Sequence, residues 1–142
     1  MRIGVAILAA IIVIAGVVYV ITRRNATPVL SEITTPSGLR IQELKIGDGP
    51  TPKLGQKVKV HYIGRLENGQ EFNNSYKGGA PVEFSLGPGL IQGWNETLQT
   101  MKVGGKRRIF VPSKLAYGAQ GRPPAIPPNA NLDFDIELLG IN

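Results

Sequence analysis

The sequence predicts an α+β domain, with an antiparallel sheet of about five strands packed on one short helix, preceded by a single transmembrane helix. Three observations lead to this prediction. The first is an uncharged apolar run near the N-terminus, at residues 3–21. The second is a series of short segments in which apolar and polar residues alternate, as in strands with one buried face. The third is a single stretch with the apolar spacing of a helix, at residues 94–101.

The apolar run has the length and the flanking charges of a membrane anchor. Its 19 residues contain no charge and no proline, and they lie between Arg2 and the pair Arg23 and Arg24. As a helix they would extend about 28 Å, close to the roughly 30 Å hydrocarbon core of a bilayer. A cleaved signal peptide is the alternative, but it has a shorter apolar core followed by a small-residue cleavage site. We therefore expect residues 1–24 to be a single-pass anchor in the lipid bilayer.

The charges beside the anchor also bear on the location of the domain. They are nearly balanced between the two ends, but a short basic N-terminus before the first apolar segment favours a cytoplasmic N-terminus. The domain is then expected on the extracytoplasmic (periplasmic or lumenal) side of the membrane. Residues 25–36 contain Thr, Ser and Pro without periodicity and are predicted to be a linker. Residues 37–142 have the length of one domain with one core.

The composition of the remaining 118 residues excludes several functions. The absence of Cys from the sequence excludes disulfides, Cys-ligated zinc, iron–sulfur clusters and a Cys nucleophile. In this part 13 Lys and Arg residues against 10 Asp and Glu residues give a charge of only +3, too small to indicate a nucleic-acid partner. The single histidine, His61, is predicted to be a solvated strand residue, so a Ser-His-Asp arrangement is not expected.

Five segments alternate apolar and polar residues in the manner of strands. Asn68 and Gly69 are the strongest short signal for a hairpin, because both residue types accept a positive φ. One side of the second segment is basic and one side of the fifth is acidic, so we expect these two strands to lie near each other. The predicted strands are residues 39–46, 57–62, 82–86, 106–111 and 132–138.

Only one segment has the spacing of a helix, because Trp94, Leu98 and Met101 recur at i, i+4 and i+7 between glycines. The charged clusters are expected to be ordinary surface. The basic residues at 102–108 are interpreted as a turn and a solvated strand face. The acidic residues at 133–137 alternate with apolar ones, which favours surface positions over a metal site.

Five short motifs stand out beyond these patterns. They are Val60-His61-Tyr62-Ile63-Gly64, Glu71-Phe72, Leu90-Ile91-Gln92-Gly93-Trp94, Leu115-Ala116-Tyr117-Gly118 and Ile126-Pro127-Pro128-Asn129-Ala130. Their order and spacing resemble the FK506-binding-protein (FKBP) type of peptidyl-prolyl isomerase, over about residues 38–142. The resemblance implies a half-barrel sheet wrapped around one helix. It also implies isomerase (rotamase) activity on proline-containing polypeptides, without a cofactor or a metal.

The resemblance further implies the position of a proline-binding pocket. Trp94 would form its floor, and the Ile91 backbone N–H and the Tyr117 hydroxyl would donate hydrogen bonds to substrate carbonyls. The loops that carry Val82 and Ala125 would contact the residue before the proline. The other pocket residues implied by the resemblance are Tyr62, Phe72, Asn73, Leu90, Ile126 and Phe134.

The sequence departs from the family pattern at four places. Asn73 stands where the family usually has an Asp, and Gly78 where an Arg often pairs with that Asp. Val82 stands where an aromatic is common, and the loop around Pro88 is about one residue short. Phe84 lies outside the implied pocket floor and is expected to belong to the core.

These observations predict a membrane-anchored peptidyl-prolyl isomerase that assists the folding of exported or membrane proteins. Rotation about a peptide bond needs no nucleophile, metal or acid–base pair, because its barrier arises from amide resonance. The departures at Asn73 and Gly78 leave a second hypothesis open. In that alternative the chain is a non-catalytic FKBP-like binding module, or an accessory subunit of a membrane protein complex.

Overall fold

The structure, a computed structural model, describes residues 9–14, 17–22 and 28–142. Within 28–142, seven strands form one antiparallel sheet in the order β3-β4-β8-β9-β5-β6, and β7 pairs with the free part of β5. The sheet curves around a short helix, so the predicted α+β class is confirmed for this part. The strands are β1 (Ala9–Ile14), β2 (Val17–Thr22), β3 (Ser31–Thr34), β4 (Arg40–Lys45), β5 (Lys57–Leu66), β6 (Glu71–Asn74), β7 (Val82–Ser85), β8 (Lys106–Val111) and β9 (Leu132–Ile141).

The two longest strands, β5 and β9, lie side by side at the centre of the sheet, as predicted from their opposite charges. Tyr62 lies opposite Ile136, and Gly64 lies opposite Phe134. Alternate side chains of both strands are buried, because a pleated strand turns every second residue toward the same face. This inward face supplies most of the core and one wall of the cavity described below.

The acidic side chains of β9 lie on the outer face of the sheet, but arginines are their partners there. Arg108 Nη2 lies 2.7 Å from Asp133 Oδ2, and Arg65 Nη2 lies 3.2 Å from Asp135 Oδ2. The hydrogen bond that Arg108 donates to Asp133 raises the pKa of Arg108. The predicted surface position of these carboxylates is therefore confirmed, while the side chains that balance their charge come from the next strands in the sheet.

Helix α2 lies against the concave face of the sheet, after a first short helix, α1 (Ser75–Gly78). It comprises Gln92–Leu98, and Trp94 and Leu98 are buried on its inner side. At Gly93 the helix approaches β8 so closely that a Cβ would lie 2.6 Å from Val111 Cγ1. The predicted helix is confirmed but is shorter than the apolar spacing indicates. Met101 reaches the core from the turn after the helix, where it is 2% exposed.

The helix ends early because a buried arginine binds its last carbonyl groups. Arg107 donates to the carbonyl oxygens of Thr97 and Thr100 at 2.9 and 3.0 Å. Its Nε and Nη2 also donate to Glu43 of β4, both at 3.0 Å. Arg107 is only 7% exposed, so its prediction as part of a solvated basic face is wrong. In β8 it lies two residues before the buried Ile109, on the same face of the strand, and therefore points into the core.

The sheet begins upstream of the predicted domain start at residue 37. Ser31–Thr34 form the edge strand β3, which pairs with β4 through Ile33 opposite Ile41. Part of the segment predicted as a linker therefore belongs to the sheet, and residues 25–27 of that segment lie outside the described residues. The strand is short and its side chains are exposed, so its alternation is too weak to be recognised in the sequence.

The N-terminal apolar segment differs from the predicted helix where the structure describes it. Ala9–Ile14 and Val17–Thr22 form a separate two-stranded antiparallel sheet, with Ile14 opposite Val17. Nine of these twelve residues are β-branched, a composition that favours strands. Residues 1–8, 15–16 and 23–24 of the predicted anchor lie outside the described residues. In the described part of the chain, every helix is too short or too polar to cross a membrane.

The Arg107 network yields a stability prediction. We expect Arg107→Met to lower the free energy of unfolding by about 3 kcal/mol, because Glu43 loses its partner and the carbonyls at the end of α2 lose their donor. Urea unfolding followed by the fluorescence of Trp94, the single tryptophan, measures the change. Arg108→Met removes a partly exposed ion pair and should cost less, about 1 kcal/mol. Equal losses in the two variants would contradict the structural role of Arg107.

Candidate functional site

A cavity of about 480 Å³ opens on the concave side of the sheet, beside the N-terminus of α2. Strands β5, β6, β7 and β9, helix α2 and the loops at 87–91 and 117–126 all contribute to it. The structure brings ten of the eleven residues predicted for the pocket together around this cavity. They are Tyr62, Phe72, Asn73, Leu90, Ile91, Trp94, Tyr117, Ala125, Ile126 and Phe134.

Trp94 lies at the centre of the cavity wall and is 3% exposed. The rings of Tyr62, Phe84 and Phe134 surround it with centroid distances of 5.0, 5.2 and 5.4 Å. The interplanar angles of 67 to 89° show that the three rings pack edge to face with the indole. The indole Nε1–H is buried without a hydrogen-bond partner in residues 28–142. The cavity therefore has an aromatic base in which the indole N–H is an unused donor.

Phe84 belongs to this cluster, which corrects its prediction as a core residue apart from the pocket. It lines the cavity, because β7 pairs with β5 and turns Phe84 toward Trp94. Val82 has the same inward orientation two residues earlier, opposite Val60. It packs against the core and does not line the cavity, because its side chain is shorter than the aromatic ring common at this position.

The backbone of Tyr62 is fixed by a side chain in place of a neighbouring strand. Along one edge of β5, pairing with β7 ends at Val60 and pairing with β6 begins at Ile63. Ser75 Oγ fills the interval: it accepts from the Tyr62 N–H at 2.7 Å and donates to the Tyr62 carbonyl at 3.2 Å. Ser75 thus satisfies both backbone polar groups of Tyr62, the N–H and the carbonyl.

His61 is not the solvated residue that the strand pattern predicts. Its Nδ1 lies 2.8 Å from Ser75 Oγ, and its ring stacks on Tyr76 with a centroid distance of 4.4 Å. The Tyr76 hydroxyl donates to Glu137 at 2.7 Å, and burial together with this carboxylate raises the pKa of Tyr76. The cluster lies on the outer face of the sheet, away from the cavity, and supports the position of Ser75.

Asn73 contacts the pocket through the Tyr62 hydroxyl. Its Oδ1 accepts the backbone N–H of Asn74 at 3.0 Å, so its Nδ2 is the group that donates to the Tyr62 oxygen. An ionised Asp at this position could only accept a hydrogen bond from that hydroxyl. With Asn73 as donor, the Tyr62 O–H proton stays available to the cavity. Burial raises the pKa of Tyr62, so the hydroxyl remains protonated.

The loop before α2 presents a backbone donor at the edge of the cavity. Asn95 bonds both polar groups of Gly87, each at 2.9 Å, and donates to the Leu90 carbonyl at 3.2 Å. These bonds fix the short loop on the helix. The Ile91 carbonyl accepts from the N–H groups of Trp94 and Asn95, whereas the Ile91 N–H has no partner within residues 28–142. It can therefore donate to a ligand.

The loop at 117–126 forms the opposite side of the mouth. Arg122 and Ile126 exchange two backbone hydrogen bonds of 2.8 and 3.0 Å, which close the loop. Gly121 has a φ of +63°, and a Cβ there would lie 2.6 Å from the Ile126 carbonyl oxygen, so the turn requires glycine. Arg122 Nη1 donates to the Tyr117 hydroxyl oxygen at 3.3 Å, which directs the hydroxyl proton away from the guanidinium.

Five lining residues were not among those predicted: Phe84, Gly89, Arg122, Pro123 and Pro124. The alternation of β7 was a usable signal for Phe84, because its inward position follows from that of Val82. The loop residues have no periodicity, so only the fold brings them to the mouth. Among the residues that the structure describes, there is no group of three or more His, Cys, Asp or Glu side chains that could hold a metal ion.

The comparisons with known proteins agree with this geometry. The family FKBP-type peptidyl-prolyl cis-trans isomerase matches residues 49–139. The chain is 46% identical over 111 residues to FK506-binding protein 1 of Candida glabrata. The aligned region covers 77% of this chain and 97% of the relative. It is 50% identical over 113 residues to FK506-binding protein 4 of Dictyostelium discoideum, covering 79% of this chain and 30% of that protein.

Solved structures show the same similarity. The crystal structure of FkpA from Escherichia coli aligns with a TM-score of 0.74 and 45% identity, over 78% of this chain and 51% of that one. A peptidyl-prolyl cis-trans isomerase from Pseudomonas syringae aligns with a TM-score of 0.72 and 38% identity, over 78% of this chain and 80% of that one.

An antiparallel sheet curved around a helix, with an aromatic cavity between them, defines the class of domain. The chain belongs to the FKBP-type peptidyl-prolyl cis-trans isomerase family. Its coverage of the relatives varies, since it spans 97% of the Candida protein but less than half of several others. The half-barrel implied by the resemblance and the isomerase type of the domain are thereby confirmed.

The close packing at Gly64 yields a prediction for the cavity. A Cβ on this residue would lie 2.6 Å from Phe72 Cζ and 3.0 Å from Phe134 Cε1. We expect Gly64→Ala to displace the two rings and to lower kcat/KM for proline isomerisation by about tenfold or more. Gly78→Ala is the control, because its Cβ would meet nothing within 4 Å. An unchanged rate in Gly64→Ala would mean that the positions of these rings do not matter for the reaction.

Proposed function

We propose that this chain is a membrane-tethered peptidyl-prolyl isomerase that assists the folding of exported or membrane proteins. The observation that carries the catalytic part is the aromatic cavity with two unoccupied hydrogen-bond donors at its mouth. Its substrates are proline-containing segments of polypeptides. The tether is proposed from the uncharged apolar sequence of residues 3–21.

The physics of the reaction fits an apolar cavity. Rotation about the prolyl bond faces a barrier of roughly 18–20 kcal/mol, because the planar amide is stabilised by resonance. In the twisted transition state this resonance is lost, and the carbonyl is less polar than in the planar ground state. A cavity that excludes water therefore disfavours the planar amide more than the twisted one, which lowers the barrier.

The cavity offers distinct places for the parts of a substrate. The proline ring packs on Trp94, which is buried and flanked by aromatic rings. The Tyr117 hydroxyl donates to the carbonyl of the residue before the proline, and the Ile91 N–H donates to the carbonyl of the proline itself. The two donors lie on opposite sides of the mouth, so together they orient the peptide across the cavity.

An assay of the full-length chain in mild detergent tests the catalytic proposal. We expect the protein to accelerate cis–trans isomerisation of a Leu-Pro peptide. Asn73→Asp should raise kcat/KM by about two- to tenfold, because a carboxylate accepts a stronger hydrogen bond from the Tyr62 hydroxyl and holds the ring more firmly. Asn68→Asp adds the same charge in an exposed turn and is the control. A folded protein without any acceleration would rule out an isomerase.

The second candidate function is a non-catalytic binding module or an accessory subunit of a membrane protein complex. Asn73 favours it, because the pocket lacks the carboxylate that is usual in the family. This candidate predicts no acceleration by the wild type or by Asn73→Asp, together with stable co-purification of a partner from mild detergent. Rapid catalysis without a stable partner would exclude it.

The tether and its orientation have a separate test. The natural chain has no Cys, so Lys53→Cys places a single thiol in an exposed loop of the domain. We expect the protein to sediment with membranes and the thiol to react with a membrane-impermeant reagent in intact cells. Labelling only after lysis would place the domain on the cytoplasmic side. Recovery of the intact full-length chain in the soluble fraction would contradict the tether.

A further inference from the structure

The charge of the cavity is unusual because it is carried by one side chain. Arg122 is the only ionised residue among the fifteen that line the cavity. The place where the family usually has an Asp is occupied by the neutral Asn73. The cavity and its rim therefore carry one positive charge and no carboxylate.

The loop at 117–126 places this charge at the mouth of the cavity. The backbone of Arg122 is bonded twice to Ile126, and its guanidinium lies 5.6 Å from the centre of the Tyr117 ring. No Asp or Glu within residues 28–142 lies within 4.0 Å of the guanidinium. Its charge acts across the cavity, since it lowers the pKa of Tyr62 against the larger effect of burial. A cation without a carboxylate partner in residues 28–142 thus lies at the mouth of the cavity.

We propose that Arg122 makes this isomerase favour an acidic residue over its neutral isostere directly before the proline. The inference rests on the proposed function, in which Tyr117 binds the carbonyl of that residue. Because Arg122 Nη1 lies 3.3 Å from the Tyr117 oxygen, a residue whose carbonyl is bound by Tyr117 lies within reach of the guanidinium. The small side chain of Ala125 leaves room there for a carboxylate. A lysine at the same place would meet a like charge.

The size of the preference follows from the exposure of Arg122. Ion pairs at exposed sites contribute little, so we expect kcat/KM for a Glu-Pro peptide to exceed that for the isosteric Gln-Pro peptide by roughly two- to fivefold at low salt. Salt should reduce the ratio, because the pair is open to solvent. The Glu to Gln ratio isolates charge, since the two side chains have nearly the same shape.

The experiment measures isomerisation of peptides that differ only in the residue before the proline: Glu, Gln, Leu and Lys. The full-length protein in mild detergent is compared with Arg122→Gln and with Lys102→Gln. The latter removes the same charge from an exposed segment before β8, outside the cavity lining. We expect the Glu to Gln ratio to fall to about one in Arg122→Gln and to stay unchanged in Lys102→Gln. Asn73→Asp should also lower the ratio, because it adds a carboxylate to the cavity.

The outcomes separate this inference from the proposed function. Isomerisation of the Leu-Pro peptide with a Glu to Gln ratio of one in the wild type would overturn the role of Arg122 alone. The same conclusion would follow if the preference persisted in Arg122→Gln. A wild-type protein that isomerises none of the peptides would overturn the isomerase function, and the specificity with it.

Discussion

The buried guanidinium of Arg107 is the contact on which the placement of the helix depends. It joins β8 to Glu43 of β4 and binds the carbonyl groups where α2 ends. Such a charge is tolerated in a core only because its donors are satisfied on every side. The helix is therefore held at its C-terminal end by hydrogen bonds and near its N-terminal end by the close approach of Gly93 to β8. Trp94 follows Gly93 directly, so this arrangement also sets the base of the cavity.

The cavity is assembled from parts that are distant in the chain, and each part has its own support. Ser75 replaces a missing strand beside Tyr62, and Asn95 fixes the loop before α2. The mutual bonds of Arg122 and Ile126 close the opposite loop. Ser75 and Asn95 lie outside the cavity lining, whereas Arg122 and Ile126 belong to it. The isomerase can thus present rigid aromatic faces and free donors without moving its backbone, as electrostatic and steric preorganisation requires.

Much of this fold follows from periodicity, because long alternating strands such as β5 and β9 have one buried face. The pocket residues follow mainly from resemblance, since core and pocket aromatics look alike in a sequence. What could not be predicted depends on tertiary contacts. A charged Arg107 in an inward position, or Ser75 opposite an interrupted strand edge, is visible only once the neighbouring elements are placed. The direction of the Asn73 hydrogen bond likewise depends on the Asn74 amide.

The pairing of β3 with the sheet affects how far the proposed tether lets the domain travel. Because Ser31–Thr34 are bound to β4, only residues 23–30 separate the apolar segment from the sheet. Even fully extended, this connection measures at most about 30 Å. With the proposed tether, such a short connection would confine the catalytic cavity to a thin layer above the bilayer and would raise the effective concentration of proline-containing chains there. The edge strand would then act on encounter kinetics, by reducing the volume that the enzyme searches.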